Sequence, residues 1–158
     1  MQIIVNFKTY KQGTGLKAFK LGKICEKFSN VIIALQPTDL HFAKKLKIKI
    51  LSQHLDAIEY GKFTGFILPN AIKHYKCYGT LLNHSEHRLN FNILKKTIKI
   101  CKKLKIKTFV CCSSIMEAKK IAKLRPYAIA FEDPKLIATG ISISTKEPKQ
   151  VIKFVKEV

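Results

Sequence analysis

Short apolar runs alternate along the chain with longer segments in which apolar residues recur every three or four positions. The runs are rich in β-branched residues and are apolar on both faces, which is typical of buried parallel strands. They predict six strands, over residues 2–7, 31–35, 48–52, 79–83, 108–112 and 127–132. All six are short enough to belong to one sheet.

Amphipathic helices are predicted between these strands. Two segments place their apolar residues on one helix face: Leu21, Ile24, Cys25 and Phe28 in the first, and Leu94, Ile98, Cys101 and Leu104 in the second. Further helices are predicted over residues 114–123 and from Pro148 onward, since proline suits a first helical turn. The alternation predicts an α/β fold with a parallel sheet, either doubly wound or curled into a barrel.

Length and composition favour one domain over residues 1–158. The chain has 158 residues, 47% of them hydrophobic, which is enough for one packed core. No apolar run reaches the roughly 18 residues that cross a bilayer, and the first residues carry no basic leader. The five cysteines lie mostly in apolar runs, where a thiol packs as a small hydrophobe. We therefore expect a cytoplasmic protein that does not bind membranes.

The net charge of +20 raises the question of nucleic-acid binding. Arg88 and Arg125 are the only arginines, whereas recognition of base edges favours arginine. The lysines are spread over every predicted helix face. We therefore predict a solvated lysine-rich surface with weak anion binding, and no nucleic-acid partner.

Polar residues that break the packing pattern cluster where the predicted strands end: Asn6 and Lys8, Gln53 and His54, Asn83 and His84, and Glu132. The carboxyl ends of parallel strands are where α/β sheets and barrels bind ligands. An amide, an ammonium, an imidazole and a carboxylate from separate strands therefore predict a site at this end.

Other chemistry-bearing residues have simpler interpretations. His84 and His87 are three residues apart but lack cysteine or acidic partners at zinc-site spacing, so no metal is predicted. Cys111 and Cys112 fall on opposite faces of one strand and are assigned packing roles. His41 and His74 lie in helical patterns and are expected at the surface.

Four segments carry a family resemblance: VNFKTY, SQHLDAIEYGKFTGFILP, GTLLNHSEHRL and AFEDPKLIATGISIS. In order and spacing they resemble the archaeal form of triosephosphate isomerase, and the resemblance covers essentially the whole chain. It implies a TIM (β/α)8-barrel fold, here reduced to about six βα units. It also implies interconversion of dihydroxyacetone phosphate and glyceraldehyde 3-phosphate without metal or organic cofactor.

The resemblance also implies roles for individual residues. Glu132 matches the base that moves the carbon-bound proton, and His84 matches the neutral imidazole that polarises the carbonyl. Lys8 matches the cation that balances the phosphate and oxyanion charge, and Asn6 matches the amide beside it. Glu86 matches the carboxylate that orients the lysine.

Residues 133–140 match the loop that closes over the substrate phosphate and excludes water in the family. The sequence departs from the family at two positions. Asp133 stands where the family commonly has a hinge proline, and Ala138 stands where it has the glycine whose amide meets the phosphate. Both changes are expected to slow the enzyme without abolishing activity.

A closed barrel of this kind typically takes about 200 residues or more, so the last two βα units of the family are not represented. Two hypotheses follow. In the first, the chain is an isomerase whose last quarter, with strands seven and eight, is supplied by a separate chain or is missing from the recorded sequence. In the second, it is a non-catalytic barrel remnant that needs a partner to fold and binds anions weakly. Residues 1–158 alone are expected to be poorly soluble or loosely folded and to have little or no activity.

Residues 53–69 match the long loop that reaches into the neighbouring subunit in the family. The resemblance makes Thr64 the residue that supports the partner's active-site Asn and Lys, and Gly61 and Gly65 allow the bends. A homo-oligomer is therefore expected.

Overall fold

The computed structural model of the protein describes residues 2–137 and 139–158. Its strands are β1 Ile3–Asn6, β2 Val31–Leu35, β3 Lys49–Ser52, β4 Gly79–Leu82, β5 Lys107–Cys112 and β6 Ala128–Phe131. Its α-helices are α1 Leu16–Cys25, α2 Pro69–His74, α3 Phe91–Leu104, α4 Ile115–Ala122, α5 Ile143–Lys146 and α6 Pro148–Glu157. Short 3₁₀ segments cover Lys11–Gly13 and Pro37–Lys44. All six predicted strands are confirmed, with small differences at their ends.

The strands form one parallel sheet in the order β1-β2-β3-β4-β5-β6, and each neighbouring pair is in parallel register. The sheet is curled. Lys8 Nζ, after β1, lies 2.7 Å from Glu86 Oε1, after β4, although three strand spacings in a flat sheet would separate those strands by about 14 Å. Of the two arrangements predicted from the sequence, the curled one is confirmed, as an open half-barrel.

Strand residues alternate between two apolar layers. The outer layer includes Ile33, Leu35 and Val110, which pack against the helices. The inner layer, inside the curl, consists of Ile32, Ala34, Leu51, Leu81 and Phe109. Cys112 belongs to the outer layer, and all five cysteines are free thiols. Burial on both faces explains why the strands read as continuous apolar runs.

The packing face of helix α1 differs in part from the predicted one. Ile24 and Phe28 are exposed, and the buried residues of α1 are Ala18, Gly22 and Cys25. A Cβ on Gly22 would lie 2.7 Å from Leu46 Cδ1, so the small residues let the helix approach the sheet closely. The predicted stripe is confirmed at Cys25 and at the partly buried Leu21 and is wrong at Ile24 and Phe28, because close packing selected small residues over large apolar ones. The stripe on α3 is confirmed, with Leu94, Ile98 and Cys101 buried.

Both edges of the sheet keep unpaired backbone groups within the described residues, because β1 pairs with β2 alone and β6 with β5 alone. Ile3 and Ile4 on β1 are 42% and 37% exposed. Across residues 2–137 and 139–158, no helix has the length and apolar character needed to traverse a bilayer.

Candidate active site

The turn after β1 presents Lys8 at the carboxyl end of the sheet. Lys8 has a left-handed backbone with φ of 48°, which is uncommon for a side-chain-bearing residue. The turn is held by hydrogen bonds on both sides of this residue. Its amide donates to Asn6 Oδ1 at 3.0 Å, and its carbonyl accepts from Gln53 Nε2 at 3.0 Å. Asn6 therefore supports the lysine backbone, and Gln53, from the end of β3, fixes the turn to the sheet.

His84 and Glu132 are paired between the ends of β4 and β6. His84 Nε2 lies 3.0 Å from Glu132 Oε1, and Glu132 Oε2 accepts from the Ser85 amide at 2.9 Å. On the other side of the ring, His84 Nδ1 accepts from the Glu86 amide at 3.2 Å. Because Nδ1 accepts, the hydrogen-bond network assigns the proton of a neutral ring to Nε2. His84 is thus arranged to donate a hydrogen bond into the site.

Burial by itself would raise the pKa of the Glu132 carboxyl, but the hydrogen bonds from His84 and the Ser85 amide outweigh it and lower that pKa. The carboxyl is therefore ionised at neutral pH and able to accept a proton. Cys111, facing the inside of the curl, lies beside it, and burial raises the pKa of this thiol. The thiol stays neutral next to the carboxylate.

Glu86 connects Lys8 to the His84 turn. Its carboxylate bonds the Lys8 ammonium at 2.7 Å, and this hydrogen bond raises the pKa of Lys8 against the smaller opposing effect of burial. The ammonium is therefore charged and directed toward the loop that carries His84. Glu86 itself is half exposed at its side chain, so the pair remains accessible to solvent and ligands.

A part-buried polar network centred on Glu117 of α4 supports the His84 turn from behind. The sequence prediction missed this residue, although Ser114 and Glu117 have the spacing of a capping box and the Ser114 side chain accepts from the Glu117 amide at 3.1 Å. Asn83, also in a left-handed conformation, donates to Glu117 Oε1 at 3.0 Å and to the Cys111 carbonyl at 2.8 Å. Arg88 forms an ion pair with the same carboxylate, and the Ser113 amide donates to its other oxygen at 2.8 Å. The carboxylate therefore ties the end of β4 to the end of β5.

The mouth of the half-barrel contains a cavity of about 300 Å³. Its walls carry Asn6, Lys8, Gln53, His84 and Glu86. A second cavity of about 300 Å³ adjoins Glu132 and is bounded by Ser85, Pro134 and Ile137. His84 lines the first cavity and Glu132 lines the second, so their contact at 3.0 Å lies between the two.

Two further histidines line the first cavity. The rings of His54 and His87 stack with centroids 4.0 Å apart, and His54 Nε2 lies 3.3 Å from Asp56 Oδ1. Burial, followed by the neighbouring His87, lowers the pKa of His54. His54, predicted at a strand end, thus forms part of the wall beside the paired residues.

Residues 133–137, which follow Glu132 directly, bring Pro134 and Ile137 beside it. The side chain of Asp133 accepts a hydrogen bond from the Lys135 amide at 2.9 Å, and its backbone carbonyl accepts one from the Leu136 amide at 3.0 Å. These bonds form a local turn that a hinge proline would not supply through its side chain. Leu136 is buried, whereas Ile137 is exposed. The predicted phosphate-binding residue Ala138 lies outside the described residues.

Thr64 is not part of this site. It lies in the exposed tip of the loop over 53–69, whose base is closed by two hydrogen bonds between Asp56 and Ile67. Phe63 and Phe66 flank it with their rings in an edge-on contact at 5.8 Å.

Comparison with known proteins gives the family of this site. The family model described as triosephosphate isomerase matches residues 1–158. The chain belongs to the triosephosphate isomerase family. It is 39% identical to the triosephosphate isomerase of Methanocaldococcus jannaschii over 167 residues, which covers all of this chain and 76% of that protein. It is 38% identical to the Methanobacterium bryantii protein of the same name, covering 99% of this chain and 72% of the relative.

A third relative of that name, from Saccharolobus solfataricus, is 36% identical, with 99% of this chain and 71% of the relative covered. The family resemblance found from the sequence motifs is therefore confirmed. Of the residues to which it gave roles, the structure brings together Asn6, Lys8, His84, Glu86 and Glu132.

Proposed function

We propose that the protein is a triosephosphate isomerase that interconverts dihydroxyacetone phosphate and D-glyceraldehyde 3-phosphate in glycolysis and gluconeogenesis. The observation that carries this is the pairing of an ionised carboxylate, Glu132, with a hydrogen-bond-donating imidazole, His84, beside the Lys8 ammonium. Isomerisation needs a base for a carbon-bound proton and donors for the oxygen that becomes negative. All three groups lie at one end of the sheet.

Glu132 is the proposed base. It removes a proton from the carbon next to the carbonyl, and the electron pair of that C–H bond forms the carbon–carbon double bond of an enediolate. The carbonyl oxygen takes the negative charge. His84 Nε2 gives a proton to the former carbonyl oxygen and takes the proton of the neighbouring hydroxyl. The Glu132 carboxyl then returns the carbon-bound proton to the neighbouring carbon, which yields the isomer with no net gain or loss of protons.

His84 and Lys8 are the proposed stabilisers of this charge. The Nε2 proton of His84 is held in place by the Glu86 amide on Nδ1, so a neutral imidazole can donate to the oxygen that becomes negative; triosephosphate isomerase is itself the standard case of this arrangement. Lys8 supplies a positive charge toward the enediolate and the phosphate, and Asn6 holds its backbone.

The atoms of Glu132 and His84 that the reaction requires are hydrogen-bonded to each other in this structure. Oε1 accepts from Nε2, and Oε2 accepts from the Ser85 amide. Substrate must therefore free Oε1 from Nε2 before this oxygen can accept the carbon-bound proton.

The direct test is isomerisation in deuterated water, followed by proton NMR. Glyceraldehyde 3-phosphate should convert to dihydroxyacetone phosphate, with deuterium incorporated at the carbon that exchanges with the base. Methylglyoxal and free phosphate as the main products would show a loop that fails to hold the enediolate. Absence of both conversions in folded, active-site-titrated protein would refute the function.

We further propose that the loop over 53–69 joins this chain to a second copy in a cytoplasmic homo-oligomer. Tyr60, Phe63 and Phe66 are 77%, 46% and 54% exposed in this loop, which is a large apolar area for a loop tip. The support for Thr64 acting on a partner's Lys8 is its position between these aromatics. Replacement of Phe63 and Phe66 by serine should produce a smaller species in sedimentation.

The edges of β1 and β6 also require a partner in this proposal. Unpaired parallel edges with exposed Ile3 and Ile4 favour the addition of strands. A polypeptide with two βα units, equivalent to strands seven and eight of a closed barrel, would satisfy both edges at once. It would also extend the ring of strand ends that surrounds the substrate phosphate.

A further inference from the structure

Four side chains gather at the amino-terminal end of the sheet, opposite the catalytic mouth. Lys49 and Lys107 begin β3 and β5, and Tyr78 and Tyr127 directly precede β4 and β6. We call these four residues the basal cluster. Since all strands are parallel, they lie at the far end of the half-barrel from His84 and Glu132.

Lys107 sits between the two tyrosine rings. Its Nζ donates to Tyr78 Oη at 2.7 Å and lies 4.2 and 4.1 Å from the ring centroids of Tyr78 and Tyr127. Lys49 Nζ lies 4.9 Å from the Tyr78 centroid. The two hydroxyls are 3.0 Å apart, and both rings pack near Phe109 of the inner layer. Two ammonium groups are thereby held beside one aromatic platform.

The cluster has more hydrogen-bond donors than acceptors. Two ammonium groups and two hydroxyls carry eight donor hydrogens in total, following their ordinary chemistry. Within the described residues, neither lysine forms a salt bridge, and two of the donors are used, one from Lys107 to Tyr78 and one between the hydroxyls. The hydrogen bond from Lys107, followed by that of Tyr127, lowers the pKa of Tyr78, which reflects the same excess of positive charge.

The surrounding loops add charge of the same sign. Lys76, Lys105 and Arg125 all adopt left-handed backbones, and they lie shortly before β4, β5 and β6. A left-handed position after a helix is usually given to glycine or asparagine. Three cations around the cluster focus a positive potential on this end of the sheet.

We propose that the basal cluster is a second anion site, separate from the triose phosphate site, that binds a small phosphate-type oxyanion. A tetrahedral oxyanion accepts hydrogen bonds from several directions, and the two ammonium groups and one hydroxyl of the tyrosine pair keep donor hydrogens for it. Its negative charge also balances two ammonium groups that form no salt bridge within the described residues. The inference does not depend on the isomerase activity, because no residue of the catalytic mouth takes part.

The test is titration of the active protein with inorganic phosphate at constant ionic strength, followed through the aromatic NMR signals of Tyr78 and Tyr127. We expect saturable shifts of both signals. A Lys49→Gln/Lys107→Gln variant should bind at least ten-fold more weakly, whereas Lys95→Gln/Lys99→Gln on α3 should bind as the unchanged protein does. Lys8→Met should also leave these shifts in place, since it alters only the catalytic mouth.

A second variant guards against loss of folding. Tyr127→Phe keeps the ring that packs on Phe109 and removes only the hydroxyl, so it should weaken phosphate binding while the melting temperature changes little. Shifts that never saturate, or that are equally weakened in the Lys95/Lys99 control, would overturn the proposal. So would a cluster whose variants lower the melting temperature while the unchanged protein gives no response to phosphate, because the residues would then only cap the inner layer.

Discussion

His84 Nε2 and Glu132 Oε1 are 3.0 Å apart, so the proposed electrophile and the proposed base are hydrogen-bonded to each other in the free protein. Each group fixes the state of the other. The imidazole keeps the carboxyl ionised, and the carboxylate accepts the Nε2 proton of the ring. Substrate must therefore separate the two groups before proton transfer.

Replacement of the base tests its role most directly. In the active enzyme, Glu132→Gln should lower kcat by about 100-fold or more, because an amide cannot accept the substrate proton. The melting temperature should change little, since the amide can still accept from the Ser85 amide. Glu59→Gln, at an exposed site in the loop over 53–69, is the matched control. A Glu132→Gln enzyme with near-normal turnover would refute this assignment.

Loss of the imidazole should have a comparable effect on kcat. His84→Ala removes the donor to the developing oxyanion, and it should reduce turnover by about 100-fold. It should also raise the pKa of the Glu132 carboxyl, because the hydrogen bond that lowers this pKa is lost while burial, which raises it, remains. Carboxyl-carbon NMR titration measures this change. An unchanged pKa of Glu132 in His84→Ala would contradict the coupling of the pair.

The pH dependence of the free enzyme follows from the same pair. The pKa of Glu132 is lowered from 4.5, so the base stays ionised to more acidic pH than an ordinary glutamate. The acidic limb of kcat/KM, which reports the free enzyme, should therefore fall below pH 4.5 wherever the protein remains folded. A limb near pH 6 would indicate a different base or a raised carboxyl pKa.

The Glu117 network should contribute to both stability and catalysis. Burial raises the pKa of the Glu117 carboxyl, but the hydrogen bonds from the Ser113 amide and Asn83 outweigh burial. The pKa is therefore lowered overall. A carboxyl with a depressed folded pKa stabilises the protein above its unfolded pKa, and this contribution is lost as pH falls through the folded value. Glu117→Ala should therefore lower the free energy of unfolding by about 1–3 kcal/mol at pH 7 and by less below pH 4.5.

Glu117→Gln provides the comparison for this network. The amide keeps the size of the side chain and one acceptor oxygen, but it loses the ion pair with Arg88. In chemical denaturation, its free energy of unfolding should lie between those of the unchanged protein and Glu117→Ala. It should also recover part of the kcat that Glu117→Ala loses because His84 is displaced. Equal stability of the three proteins at pH 7 would show that the carboxylate does not hold the two strand ends together.

Alanine substitutions at two glycines, Gly79 and Gly22, should lower the free energy of unfolding by different amounts. A Cβ on Gly79 in β4 would lie 2.3 Å from the Lys107 backbone oxygen, which cannot move without breaking the β4–β5 ladder. The Cβ on Gly22 would meet the flexible end of Leu46 at 2.7 Å. Gly79→Ala should therefore be the more destabilising, by about 1–3 kcal/mol or more in denaturant titration. The reverse order would contradict the packing described for β4.

The strands could be predicted from sequence because they are buried on both faces, so a run such as Val31–Leu35 has no other stable environment. The packing face of helix α1 could be predicted only in part, because the choice of Gly22 as a contact residue depends on how near Leu46 approaches. Residues 79–83 were predicted as strand, but Asn83 turns out of β4 with a φ of 59° to meet Glu117. Such a turn depends on a distant partner, which local propensity does not encode.

The same distinction holds for the site. Lys8, His84 and Glu132 were identified because they match a family pattern at strand ends. Glu117 was missed because it lies in a helix whose sequence reads as an ordinary amphipathic surface, and its partners come from two other segments. The pairing of His54 with His87 was missed for the same reason.

Lys8 follows the first strand of the sheet and Glu132 follows the last, so the distance between the proposed cation and the proposed base is set by the curvature of the whole sheet. Five strand pairings lie between them, and any slip or flattening in one pairing changes the span at the mouth. Glu86, bonded to Lys8 from the fourth strand, bridges part of that span. Catalytic alignment here is therefore a collective property of the sheet, and substitutions far from the mouth that alter its curl would act on turnover as surely as changes to the site itself.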